Sequence, residues 1–104
     1  MDYVLVYITA ANLEEGRAIA QALVEKRVAA CVNIISSIES LYWWQEKICQ
    51  EEEVAIFAKT RKERVEDVIS ETKKIHSYSV PCIIALDITD GNPEFLDWIS
   101  KEVR

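Results

Sequence analysis

Three large aromatic residues, Tyr42, Trp43 and Trp44, stand in a row between two long runs of β-strand character. The first run, residues 28–41, is rich in Val and Ile. The second, residues 47–60, closes on Val54-Ala55-Ile56-Phe57-Ala58. Only Gln45-Glu46-Lys47 lies between the aromatics and the second run, which suits a short hairpin loop. Each arm of such a hairpin has about 14 residues, where strands usually have about 5–6. At about 3.3 Å per residue an arm reaches about 45 Å. A domain of this size has a radius of gyration of only about 13 Å. The hairpin must overhang its own domain or bend hard, and its tip carries rings that a monomer has little means of covering. Exposed apolar patches of this kind mark interfaces. The tip is therefore expected to meet another subunit.

At 104 residues the chain reads as one domain, residues 1–104, with 50% apolar and 29% charged residues, an ordinary globular mix. A net charge of −6 argues against a nucleic-acid backbone or an anionic membrane surface as partner, and mildly favours cations. No apolar run approaches the roughly 18 residues that a membrane-spanning helix needs. No basic segment precedes Val4-Leu5-Val6-Tyr7-Ile8, and that run is short for a secretory leader, so a cytoplasmic location is expected. Cys31, Cys49 and Cys82 are odd in number and lack CxxC spacing, which argues against a disulfide framework or a structural zinc site within one chain.

Residues 3–9 are β-branched and aromatic, as in a strand buried mid-sheet. Asn12 and Glu15 form a capping-box pattern, and Gly16, Ile19, Ala20 and Leu23 repeat with helical spacing over 13–26. In the second arm an acidic trio, Glu51-Glu52-Glu53, reads as a solvated bend or edge that discourages strand stacking, or as a rim that attracts cations. Thr60 and Glu63 suggest a second capping box. Val65, Val68, Ile69, Thr72 and Ile75 share one face of the helix that follows, which ends near His76. Cys82–Ile88 is a further strand. Asn92 with Pro93 opens a last helix, in which Leu96, Ile99 and Val103 share a face and Trp98 lies on another side. The order is β-α-β-β-α-β plus a C-terminal helix. That is an α+β, ferredoxin-like arrangement with a long hairpin between its second and third strands. Both main helices then cover one face of a four-stranded sheet, with the first and third strands interior. The other face stays bare although its strands are apolar, which argues a second time for oligomerisation. Symmetry alone favours a dimer.

No catalytic set is present, and the chain reads as a non-enzyme. It has one histidine, two glycines, and none of the serine-elbow, phosphate-loop or zinc-protease motifs, so no organic cofactor is implied. An acylphosphatase-like enzyme would need an anion-binding loop with arginine after the first strand; Thr9-Ala10-Ala11-Asn12 has none. The one basic island, Lys59 to Arg64, opens a helix. It reads as a solvated helix start or as a dock for a small anion through Lys59 and Arg61. His76, beside Tyr78 and a strand beginning at Cys82, reads as a ring hydrogen-bonded to backbone or a tyrosine, or as a metal ligand with Cys82. Imidazole and thiolate hold copper and zinc. Cys31 and Cys49 read as small buried hydrophobes or as further sulfur ligands. Any such site would need groups from a second chain or from solvent.

Ala30-Cys31-Val32-Asn33-Ile34, Tyr42-Trp43-Trp44, Lys59-Thr60-Arg61, His76-x-Tyr78-x-x-Pro81, Ile84-Ala85-Leu86 and Gly91-Asn92-x-x-x-Leu96-x-Trp98-Ile99 occur in that order. Together they resemble the CutA family of divalent-cation tolerance proteins from end to end. The resemblance implies a ferredoxin-like homotrimer similar to the PII signalling proteins. It also implies a role in tolerance to divalent metals, copper above all, and no established reaction. Tyr42, Trp43, Trp44 and Trp98 are the expected trimer contacts, and His76, Cys82 and Cys31 the expected metal set. A PII-like trimer binding a small anion in clefts near Lys59 and Arg61 is the alternative. The chain departs from its relatives at Ser77, Ser79 and Cys82, where many carry Pro and two acids. Ile8 and Ile75 stand where some carry a copper-binding cysteine and a second histidine. Glu46 stands where many have a turn glycine, so that turn must avoid positive φ or accept its cost.

Overall fold

Alternating apolar residues from Tyr3 to Ala10 build the central strand β1 (Tyr3–Ala10), against which the rest of the chain is laid. The structure is a computed structural model that describes residues 2–104. After β1 come α1 (Leu13–Glu25), β2 (Cys31–Trp44), β3 (Lys47–Arg61), a 3-10 turn at Lys62–Arg64, α2 (Val65–Ile75), β4 (Ile83–Ile88) and α3 (Pro93–Glu102). The sheet order is β2-β3-β1-β4 with every pairing antiparallel, so β1 and β3 are interior. This is the ferredoxin-like α+β arrangement with the added C-terminal helix.

Side chains alternate across a strand. One face of the sheet carries Val4, Val6, Ile8 and Ala10 of β1 with Val54, Ile56 and Ala58 of β3, and they are buried with Ile19 and Leu23 of α1 and Val68 of α2. Gly16 lets α1 approach closely: a Cβ there would lie 3.1 Å from Val54 Cγ1. Asn12 caps α1 through its side chain, which accepts from the Glu15 amide at 2.8 Å. The second capping box does not form. Thr60 is the last buried residue of β3, and its hydroxyl donates to the Val28 carbonyl at 2.6 Å instead. The chain then enters α2 through the 3-10 turn, without a side-chain cap.

The opposite face carries Tyr3, Leu5, Tyr7 and Thr9, with Ala55, Phe57 and Lys59 beside them. α3 covers one end of it: Tyr3 hydrogen-bonds Ser100, Lys59 lies over the Phe95 ring, and Ile99 and Val103 are buried. The remainder is open. Ile35, Ile84 and Leu86 are each about half exposed at 48%, 53% and 49%. This is the apolar mismatch that the sequence predicts.

The hairpin has the expected reach. β2 and β3 have 14 and 15 residues, and the molecule measures 44 × 25 × 22 Å. A register shift between Ile35 and Ile38 bends β2. The aromatic trio lies within β2, and the turn is only Gln45-Glu46, both at positive φ, 49° and 66°. Positive φ at both central residues is the tight hairpin geometry that matches strand twist. The chain accepts its cost without glycine. Beyond the domain, Leu41, Trp43 and Ile48 are 70%, 71% and 62% exposed. Register puts Trp43 opposite Ile48, so these three share one face of the tip.

Candidate functional site

β3 runs unbroken through the acidic trio, which is not a solvated bend. Glu53 alternates with Ala55 and Phe57 and so points to the open face, where it is 6% exposed. Glu51, Cys49, Ser40 and Tyr42 follow on the same side of the hairpin, by alternation and by the pairs Ser40–Glu51 and Tyr42–Cys49. The bent hairpin thereby closes a cavity of about 620 Å³ against Thr9, Tyr78 and Cys82. Tyr78 donates its hydroxyl to Glu53 Oε2 at 2.8 Å. Burial, and then the Glu53 carboxylate, push the Tyr78 phenol well above its usual range. Tyr7 and Tyr42 are raised too, first by burial and then by neighbouring Cys82 and Glu53 for Tyr7 and by Glu51 for Tyr42.

His76 caps the C-terminus of α2, and its side chain is fully buried. Its Nε2 lies 2.7 Å from the Thr9 carbonyl oxygen, and its Nδ1 accepts from the Tyr78 amide at 3.1 Å. With Nδ1 accepting, the proton that meets the Thr9 carbonyl sits on Nε2. The Tyr78 ring leans on it at 4.8 Å between centroids. Glu15 stands 3.9 Å from Nδ1 and accepts from the Ala11 amide at 2.8 Å and from the Ser77 amide. Burial opposes its charge, but the hydrogen bonds from Ala11 and Ser77 bring its carboxyl below the ordinary value. The group ties the starts of α1 and of the α2–β4 loop together and holds Tyr78 over the cavity.

The metal set His76, Cys82 and Cys31 does not assemble within one chain. His76 has no free ring nitrogen. Cys82 faces the cavity beside Thr9. Cys31 lies in a cross-strand row with Lys59, Leu5 and Leu86. That is four residues along and three strands across from Cys82, roughly 20 Å by strand spacing. Among the described residues no group of three or more His, Cys, Asp or Glu side chains is placed to hold a metal ion. All three cysteines are free. The anion pair lies away from this cavity. Lys59 donates to Asn33 Oδ1, and Arg61 Nε lies 2.9 Å from Glu63 Oε1. Neither basic residue lines the cavity. Of the aromatic contacts, Tyr42 is a cavity wall, Trp43 and Trp44 stand at its rim and the tip, and Trp98 stacks on Phe95 at 39% exposure. Sequence reasoning assigned nothing to Ser40, read Glu15 only as part of a capping box, and left Glu51 and Glu53 between a solvated stretch and a cation-attracting rim. For Glu51 and Glu53 the available signal was their alternation in step with Ala55 and Phe57.

The family model for "CutA1 divalent ion tolerance protein" matches residues 4–102. The chain belongs to the CutA family. A CutA from Archaeoglobus fulgidus, described as a divalent-cation tolerance protein, is 50% identical over 95% of this chain and 96% of its own. The CutA of Thermus thermophilus is 42% identical over 93% and 94%. Of the chloroplastic CutA 1 of Oryza sativa, 38% identical over 97% of this chain, only 57% is spanned. The solved A. fulgidus CutA superposes with a TM-score of 0.95 at 48% identity over 98% of this chain and 99% of that one. Oryza sativa CutA1 does so at 0.97 and 36%, covering 100% and 95%. Such coverage includes the hairpin, so the overhanging arm belongs to the CutA fold.

Proposed function

We propose that this CutA-family chain works as a homotrimer in divalent-cation tolerance, without catalysing a reaction, and binds copper or a similar soft to borderline cation where subunits meet. The observation that carries the reading is the hairpin. Its tip exposes Leu41, Trp43 and Ile48 beyond the domain, and the sheet exposes Ile35, Ile84 and Leu86 behind it. Sister chains are the surfaces of matching length and chemistry that every copy of this chain has at hand. The number three follows the family resemblance. Cys82 supplies a soft thiolate and Glu51 and Glu53 hard oxygens on that same open side; one chain does not converge them on an ion, so a sister chain must complete the set. His76 positions Tyr78 and is not a ligand. We place the protein in the cytoplasm, where free thiols such as its three cysteines persist.

Titration of the assembled protein with Cu(I) and Zn(II) under reducing conditions tests the ligand assignment. Cys82→Ser should weaken Cu(I) binding about tenfold or more, since a sulfur-to-oxygen exchange removes the soft ligand. Equal Cu(I) affinity in the two proteins would remove Cys82 from the site.

A further inference from the structure

We propose that the cavity between the bent hairpin and the open face binds a small organic cation. An alkylammonium fits, with its charged end against Glu53 and Glu51 and its hydrocarbon along the rings of Tyr42, Trp44 and Tyr78. The inference shares Glu51 and Glu53 with the metal reading but makes no use of the Cys82 thiolate.

Charge is the first ground. The residues that line the cavity include two carboxylates and no Lys, Arg or His. Glu53 is 6% exposed, and its one hydrogen-bond partner among the described residues is the Tyr78 hydroxyl. A carboxylate so buried and facing no cation is costly, and a cation in the cavity relieves the cost. Tyr7, Tyr42 and Tyr78 all hold their protons more tightly than free phenols. Burial is the first cause, and the carboxylates add to it.

The walls are the second ground. Three aromatic side chains, Tyr42, Trp44 and Tyr78, border the cavity, while the Trp43 ring lies with Leu41 and Ile48 on the other face of the tip. An ammonium over such rings gains cation–π attraction, and its methylene groups gain apolar contact. A bare metal ion uses neither. It needs several donors converging on one point, and no three His, Cys, Asp or Glu side chains among the described residues do so. The volume of about 620 Å³ lies in the range of small-molecule sites and far exceeds one ion. The two sides of the tip have separate uses. Leu41 and Ile48, on the far side from the cavity, remain for subunit contact, while Tyr42, Cys49 and Glu51 look inward.

The test titrates the assembled wild-type protein with butylammonium, 1,4-diaminobutane and tetramethylammonium, reading tryptophan fluorescence and heat. The neutral 1-butanol and the anion butyrate are the controls. The ammonium compounds should saturate, and butylammonium should bind about tenfold or more tightly than 1-butanol, the ratio expected of one charge-assisted contact. Glu53→Gln should remove that preference. If circular dichroism shows that Glu53→Gln fails to fold, Glu51→Gln, at an exposed position, carries the same expectation of a several-fold loss. Three results overturn the proposal: 1-butanol binding as well as butylammonium, no saturation into the millimolar range, or a folded glutamine variant that keeps the wild-type preference. A crystal structure of the assembly with a sister chain's lysine or arginine filling the cavity would overturn it too.

Discussion

His76 shows why one residue type can carry opposite roles. Its lone pair accepts from the Tyr78 amide and its proton goes to the Thr9 carbonyl, so the ring is structural. Removing it leaves a carbonyl and an amide unpaired in the interior. His76→Ala should lower unfolding free energy by about 2–3 kcal/mol in denaturant titration, while Cu(I) affinity per folded protein stays unchanged. Lost Cu(I) binding at unchanged stability would make the ring a ligand after all. Glu15 adds a pH signature. Its folded carboxyl is held below the ordinary value of 4.5, so the folded state binds its proton less readily than the unfolded chain. The stabilisation is full above that ordinary value and is lost as pH falls through the lower folded one. Thermal midpoints should therefore drop as pH falls below about 4.5, and Glu15→Gln should flatten that part of the profile. A profile identical in both proteins would contradict the assignment.

At the scale of elements, most of the order was legible in the sequence. β-branched apolar runs mark the strands and 3.6-residue spacing marks the helices, and Asn12 and Asn92 cap where their positions predict. Three features were not legible, each because a distant partner decides it. Thr60 looks like a helix cap, but the Val28 carbonyl, 32 residues away, captures its hydroxyl within β3. Glu53 looks solvated among acids, but strand alternation and Tyr78 bury it. For His76 the sequence offered a ring bonded to backbone or a ligand, and only the choice between them, made by Thr9 67 residues away, was hidden. The turn is the other instructive element. Twist of the paired arms forces Glu46 to a φ of 66°, which glycine adopts without penalty. Glu46→Gly should stabilise the fold by about 1 kcal/mol, read from the denaturation midpoint. A loss of similar size would mean that the Glu46 side chain makes a contact worth more than the backbone strain.

For the whole molecule the governing fact is a mismatch between a ribbon and a globule. A body 25 × 22 Å in section carries an arm that stretches it to 44 Å, and apolar side chains cover both the tip and the uncovered sheet. Burying each of those side chains is worth about 1.5–3 kcal/mol, and a lone chain gains none of it. The proposed metal site depends on this, because one chain does not bring enough ligands together. Sedimentation equilibrium over a dilution series measures it most directly. The account predicts a particle of about 36 kDa, three times the 11.9 kDa chain, persisting to the lowest concentrations at which the protein stays folded. A folded 11.9 kDa species across the series would contradict it.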